Sequence, residues 1–343
     1  MSRTPFLSSA LVAGAAATAL LLSGCVAGEG QAAEPEPAAS GAASLEGQTL
    51  NIDFATYNPL SLIIKDQGWL EDAGLTVTWV QSAGSNKANE ALRAGAIDVG
   101  STAGSAALLA RSNGSPIHVI DIYSQPEWSA LVAPAGSSIG SVDDLKGKQV
   151  AATKGTDPYF FLLQALEAEG VSPDDIVLQN LQHADGWAAL QNGSVDAWAG
   201  LDPIMAGAEE EGATLFFRNV DFNSYGFLNA TESFLAEKPD VAQAVIDAYE
   251  SARAWAAEHP EDTAEILAEV AGLDLAVATK VITERSNLDV DPVPGDAQVE
   301  VLEKIGPIFV ELGDVATQQQ VDEALATLID DEFVKRADAA RFE

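Results

Sequence analysis

The sequence predicts an α/β protein of two lobes with a helical C-terminal part, and three observations carry that prediction. Short β-rich runs alternate with helical stretches from Thr49 onward, the rhythm restarts at about Gln149, and beyond Thr231 the chain turns almost wholly helical. Alternation of this kind argues mainly parallel sheets, and its occurrence in two successive blocks argues two lobes.

In the first block, residues 49–55 read as a strand, 60–72 as a helix, 76–81 as a strand, 86–94 as a helix and 97–100 as a short strand. A helix over 104–111 follows, then two β-like runs over 117–123 and 128–133. In the second block 149–153, 176–181 and 195–199 read as strands, and 158–169, 186–191 and 203–211 as helices. The tail reads as helices over 238–258, 261–271, 275–285, 297–312 and 319–328, punctuated by Pro239, Pro260, Pro292 and Pro307, the last expected to kink its helix. β-like runs near Ala133 and over 224–228 bracket the middle block, so the chain is expected to cross between lobes twice, and a two-strand connection is a natural hinge. Gly95 and Gly193 are expected to end helices, with Asp98 and Asp196 as turn residues after them.

The first 24 residues carry Arg3, no acidic residue and an apolar run over 10–22, too short and too rich in Ala and Gly for a permanent span. The run ends in Leu22-Ser23-Gly24-Cys25, which resembles the bacterial lipobox. Residues 1–24 are therefore expected to be a lipoprotein signal and Cys25, the only cysteine, the lipidated residue. A single cysteine excludes internal disulfides and thiolate metal clusters. Residues 25–48, with almost nothing large and apolar, read as a flexible stalk. Acidic residues outnumber basic ones 52 to 17, for a formal charge of −35. Such a balance argues against a nucleic-acid partner, and a lipid anchor is the expected membrane contact.

Four segments carry a family resemblance: Glu90-Ala91-Leu92-Arg93-Ala94-Gly95-Ala96-Ile97-Asp98-Val99-Gly100; Asp144-Leu145-Lys146-Gly147-Lys148-Gln149-Val150-Ala151, followed by Lys154-Gly155-Thr156; Ala184-Asp185 leading to Ala188-Ala189-Leu190; and Gly193-Ser194-Val195-Asp196-Ala197-Trp198 running on to Asp202-Pro203. In order and spacing they resemble the substrate-binding proteins of ABC importers for aliphatic sulfonates, taurine and nitrate. The resemblance implies a two-lobed type II periplasmic-binding-protein fold, lobe 1 being 49–132 plus 226–343 and lobe 2 being 133–225, with a small-molecule ligand held between them. It also implies a permease and its ATPase as partners, no cofactor and no catalytic residue. A lipidated form suits a bacterium without an outer membrane, where a free protein would diffuse away.

In open α/β sheets ligands sit beyond the carboxyl ends of strands. Tyr57 and Asn58, Ser85 and Asn86, Ser101 and Thr102, and Trp128 are the candidates of lobe 1. Thr156, Asp157, His183 and Asp202 are those of lobe 2. Several open helices, where free N–H groups and the helix dipole favour an anion. Asp157 before Pro158 reads as an N-cap, which would occupy donors that an incoming anion needs. Glu127 and Asp202 add negative charge, against Lys87 and Lys154 as the bases of these segments. Two ligand readings stand: a taurine-like zwitterion with its ammonium near Asp157 or Asp202, or a neutral or cationic ligand stacked on Tyr57, Trp128 or Tyr159. Asp157 and Asp202 are equally read as caps of their own helices. His118, His183 and His259 fall at no metal-ligand spacing, and no Gly-rich phosphate loop is present. A biosynthetic enzyme on the same fold, of the thiamine or menaquinone type, is the alternative function; the export signal and the lack of a nucleophile-base constellation weigh against it.

Overall fold

The computed structural model describes residues 44–342; the signal, Cys25 and most of the stalk lie outside them. The first block folds as β1 (Thr49–Phe54), α1 (Pro59–Gln67), α2 (Trp69–Asp72), β2 (Thr76–Gln81), α3 (Ser85–Arg93), β3 (Val99–Ala103), α4 (Gly104–Ser112) and β4 (Ile117–Ser124). The helix expected over 60–72 is two, because Gly68 adopts φ 67° and ψ 20° and its N–H bonds to Ile64 O, ending α1 in a left-handed cap. β3 runs to Ala103, so Ser101 and Thr102 lie inside a buried strand and not in the loop after it.

The second block contains β5 (Ser129–Ala133), β6 (Gln149–Ala152), α5 (Asp157–Ala168), β7 (Val177–Asn180), α6 (His183–Gln191), β8 (Ala197–Leu201), α7 (Ile204–Glu210) and β9 (Thr214–Phe217). β10 (Gly226–Thr231) then returns to the first sheet. α8 (Glu232–Glu237), α9 (Pro239–Glu258), α10 (Pro260–Ala271), α11 (Leu275–Lys280), a π-helical turn over Val281–Arg285, α12 (Asp296–Glu311) and α13 (Gln318–Leu328) complete the chain. Pro239 and Pro260 stand in the first turns of α9 and α10, where a missing N–H costs nothing.

The strand orders are β2-β1-β3-β10-β4 and β7-β6-β8-β5-β9. In each sheet four of the five strands run in one direction, and the strand arriving from the other lobe enters antiparallel: β10 between β3 and β4, β5 between β8 and β9. The sheets are thus mixed, each mainly parallel in strand direction with one antiparallel strand inserted. Two segments cross, one between β4 and β5 and one between β9 and β10. The boundary expected at 132/133 falls one strand late, since β5 pairs with β8 and belongs to the second sheet. Ser44 to Gln48, assigned to the stalk by composition, is part of lobe 1: Leu45 is buried in its core and Gly47 N–H bonds to Gly74 O at 2.9 Å.

The two repeats ending in Asp98 and Asp196 do equivalent work. Asp98 Oδ2 accepts the N–H of Asn51 and Asp196 Oδ2 that of Gln149, both at 2.8 Å, so each carboxylate fixes the start of a neighbouring parallel strand. One core packs β1, β3 and β10 against α1 and α9 through Ile52, Ile63, Val99, Leu228 and Val245. A second joins α5 to α4 and α12, with Phe160 and Phe309 rings 4.9 Å apart. Burying a Phe or Leu side chain contributes about 1.5–3 kcal/mol, so the C-terminal helices stabilise both lobes as well as extending the first.

Candidate binding cleft

The carboxyl ends of the parallel strands of both sheets border one groove of about 350 Å³, lined by Thr56, Tyr57 and Ser82 of lobe 1, Gln182, His183 and Asp202 of lobe 2, and Leu273 of the tail. Several of the expected site residues prove to be its wall. Asn58 caps α1 by accepting Ser61 N–H, and its Nδ2 donates to Ser101 Oγ at 2.7 Å and Tyr249 Oη at 3.1 Å. Tyr57 donates to Ser101 O, and Ser101 donates both N–H and O–H to Asp53 Oδ1 at 2.9 Å. Thr102 Oγ1 accepts Asn229 Nδ2, and Ser85 Oγ accepts Ala103 N–H. These groups are buried and bonded to one another, with Asp53 Oδ2 and Asn229 Oδ1 left without partners among the described residues, and they hold the strand ends in register. Burial pushes the Asp53 carboxyl up to about 7, against the bonds from Ser101 and Ser82 that pull it down.

Asp157 is neither N-cap nor free. Thr156 is the N-cap residue of α5, Asp157 its first helical residue, and the carboxylate turns away from the helix. Oδ1 accepts the hydroxyls of Ser105, at 2.7 Å, and Ser224; Oδ2 accepts Trp128 Nε1–H at 2.8 Å and Ser224 N–H at 3.0 Å. The donors come from α4 and from both crossing segments, so this one carboxylate ties lobe 2 to lobe 1 at the hinge. Burial raises its pKa and the four donors oppose the rise.

Asp202 is also occupied. It accepts Ala206 N–H at 2.9 Å and pairs with Arg285 at 3.1 and 3.2 Å, and Arg285 pairs in turn with Glu209. Burial lifts Asp202 to about 6, with Arg285 pulling the other way. Pro203 is the N-cap residue of α7, and the Asp202 carboxylate accepts a first-turn N–H of that helix from one position before the N-cap; its charge is met by an arginine from the π-helical turn that sequence reasoning missed. Glu127 is paired with Arg218 at 2.6 Å, Lys87 with Glu90 at 2.8 Å, and Lys154 lies over the Tyr159 ring. Trp128 is wedged between Tyr57 and Tyr123, rings 6.0 and 6.4 Å away, which leaves Tyr57 and Trp128 little open face for stacking.

Further unpartnered polar atoms stand at the helix starts beside the groove. His183, expected at a strand end, is the first residue of α6, and its Nε2 has no hydrogen-bond partner among the described residues; neither do Asn86 Oδ1 or Gln182 Oε1. His183 and Asn86 flank Gly84, whose φ of 155° and lack of a side chain leave room: a Cβ there would stand 2.9 Å from His183 Nε2 and 3.0 Å from Asn86 Oδ1. Gly155, also at positive φ, faces Asn86 from lobe 2. The starts of α3, α5 and α6 therefore approach one another around Gly84, beside the groove, and their first N–H groups have no partner within their own helices. Among the described residues no group of three or more His, Cys, Asp or Glu is placed to hold a metal, and no helix is long and apolar enough to cross a membrane.

The profile of the NMT1/THI5-like family matches residues 60–263. A protein of Escherichia coli (strain K12) named as an aliphatic sulfonates-binding protein is 30% identical over 231 residues, 66% of this chain and 72% of that one. One of the same name from Bacillus subtilis (strain 168) is 28% identical over 309 residues, 87% of this chain and 91% of that one. Among solved structures, the alkanesulfonate-binding protein SsuA from Xanthomonas axonopodis pv. citri, bound to MOPS, superposes with a TM-score of 0.74 at 25% identity, covering 81% of this chain and 98% of that one.

Proposed function

The chain belongs to the NMT1/THI5-like family, and from that premise we propose that it is the extracytoplasmic solute-binding component of an ABC importer, closing its lobes around one aliphatic sulfonate or taurine-like zwitterion. The observation that carries this reading is the groove between the two sheets, beside which three helix starts and the unpartnered atoms of His183 and Asn86 come together. N–H groups at helix starts suit the three oxygens of a sulfonate without an arginine. Asn86, Thr156 and His183, with the backbone of Ser85, are the proposed ligand contacts. Tyr57, Asn58, Ser101, Thr102 and Trp128 support the cleft wall, and Asp157 and Asp202 act through their own partners, not on ligand.

The relatives named above are binding proteins, and we extend that to this chain: it captures and releases its ligand unchanged, for delivery to a permease driven by an ATPase. Cys25 is proposed to carry the lipid that keeps the receptor at the membrane face, where tethering raises its concentration at the permease. Radiolabelled palmitate incorporated by the native chain and not by Cys25→Ala checks the anchor. Calorimetric titration with alkanesulfonates and taurine, with mass spectrometry of the ligand afterwards, checks the binding role; a consumed ligand favours the enzyme alternative.

A further inference from the structure

We infer that His183 sets the ligand preference of the cleft by presenting Nε2 as a fixed hydrogen-bond acceptor, so that sulfonates bearing an N–H or O–H donor are selected over plain alkyl ones. The inference rests on the proposed solute-binding role and deepens it.

The hydrogen-bond geometry decides which imidazole nitrogen carries the proton. Thr153 Oγ1 lies 2.7 Å from Leu181 O and 3.2 Å from His183 Nδ1. A carbonyl oxygen only accepts, so the single Thr153 proton goes to Leu181 in the shorter contact, and Thr153 Oγ1 is left to accept from Nδ1–H. Nε2 then carries the lone pair. His183 is 1% exposed, and burial lowers its pKa to about 4, so the ring is neutral at pH 7. A buried acceptor without a partner costs free energy, which a ligand donor recovers on binding. Asn86 Oδ1 borders the same space beside Gly84, and Gln182 Oε1 is a third unpartnered acceptor in this region. The acidic candidates for an ammonium seat, Asp157 and Asp202, are already filled by Ser105, Trp128 and Ser224 and by Arg285. The donor end of the ligand is therefore assigned to His183 and Asn86.

The test has two arms. In ligand-free protein, long-range ¹⁵N correlation spectra of the imidazoles at pH 7 should give His183 an unprotonated Nε2 and a protonated Nδ1; an Nε2–H tautomer or an imidazolium overturns the inference whatever the ligand. In the second arm, taurine, 2-hydroxyethanesulfonate and ethanesulfonate are titrated into the native chain, His183→Phe and Thr153→Val. The donor-bearing ligands should bind about ten- to a hundredfold more tightly than ethanesulfonate. That ratio should collapse in His183→Phe and shrink in Thr153→Val, where Nδ1 loses its acceptor. Sulfonates that bind with no such preference, or a preference that survives in His183→Phe, overturn the inference and leave the binding role standing. If no sulfonate binds but propylamine binds in a His183-dependent way, the sulfonate reading falls and the acceptor role stands; if neither class binds, both fall.

Discussion

Replacing Asp157 by alanine withdraws the acceptor from four donors at once. Trp128 Nε1–H and Ser224 N–H are fixed and buried, 2.8 and 3.0 Å from Oδ2, and neither can turn to another partner. Each unsatisfied buried donor costs about 1–3 kcal/mol. The hydroxyls of Ser105 and Ser224 rotate and cost less. The expected loss is about 3–5 kcal/mol, the range seen when one partner is removed from a buried charged cluster. Asp157→Asn should be milder, at about 1–2 kcal/mol, because the amide oxygen can keep Trp128 and Ser224 N–H while the amide NH₂ faces hydroxyls that can switch from donating to accepting. Urea unfolding of the three proteins, followed by tryptophan fluorescence, measures the difference. An alanine variant within about 1 kcal/mol of the native chain, or an asparagine variant as unstable as the alanine one, would refute the assignment of Asp157 as the tie between the lobes.

Arg285→Met should destabilise by about 3–5 kcal/mol, since it leaves Asp202 buried with an uncompensated charge; adding Asp202→Asn should restore part of that loss in the same unfolding assay. Gly84→Ala places a Cβ 2.9 Å from His183 Nε2 and should weaken ligand binding by about tenfold or more, read by calorimetry. For Asp53, the folded carboxyl titrates at about 7 against an ordinary 3.8, so the folded state holds an extra proton between those values. Its stabilising contribution is full below about pH 4 and is lost as pH rises through about 7. Asp53→Asn removes this dependence, so its stability relative to the native chain should rise by roughly 4 kcal/mol from pH 4 to pH 8, measured by urea unfolding at each pH. His183, with its pKa lowered to about 4 from 6.5, acts with the opposite sign: its contribution is present above about pH 6.5 and lost as pH falls through about 4.

The βα rhythm was legible because it is a local property: strand runs such as 76–81 and 149–153 carry their own β-formers, and Gly and Pro mark helix ends. Misses arose where the deciding partner is distant. β5 reads as one more β-like run of lobe 1, yet it enters the other sheet because β8 and β9 pair with it. Leu45 looks like a stray apolar residue in a polar linker until lobe 1 closes over it. The same distance rule governs the cleft. Local polarity at helix starts pointed to Asn86, Thr156 and His183. It could not show that Asp157 meets Ser224 67 positions later, or Asp202 Arg285 83 positions later. Arg285 carried no local signal at all, being one more cation on a helical tail; a cluster of acids beside the cleft was the sole hint that some base must answer them.

Isothermal titration calorimetry of the mature full-length chain with taurine and short alkanesulfonates, paired with mass spectrometry of the ligand after incubation, tests the central claim most directly. The account predicts one-to-one binding at micromolar affinity or tighter, with the ligand recovered unchanged. No heat of binding with any sulfonate, or a ligand converted to another compound, would contradict it.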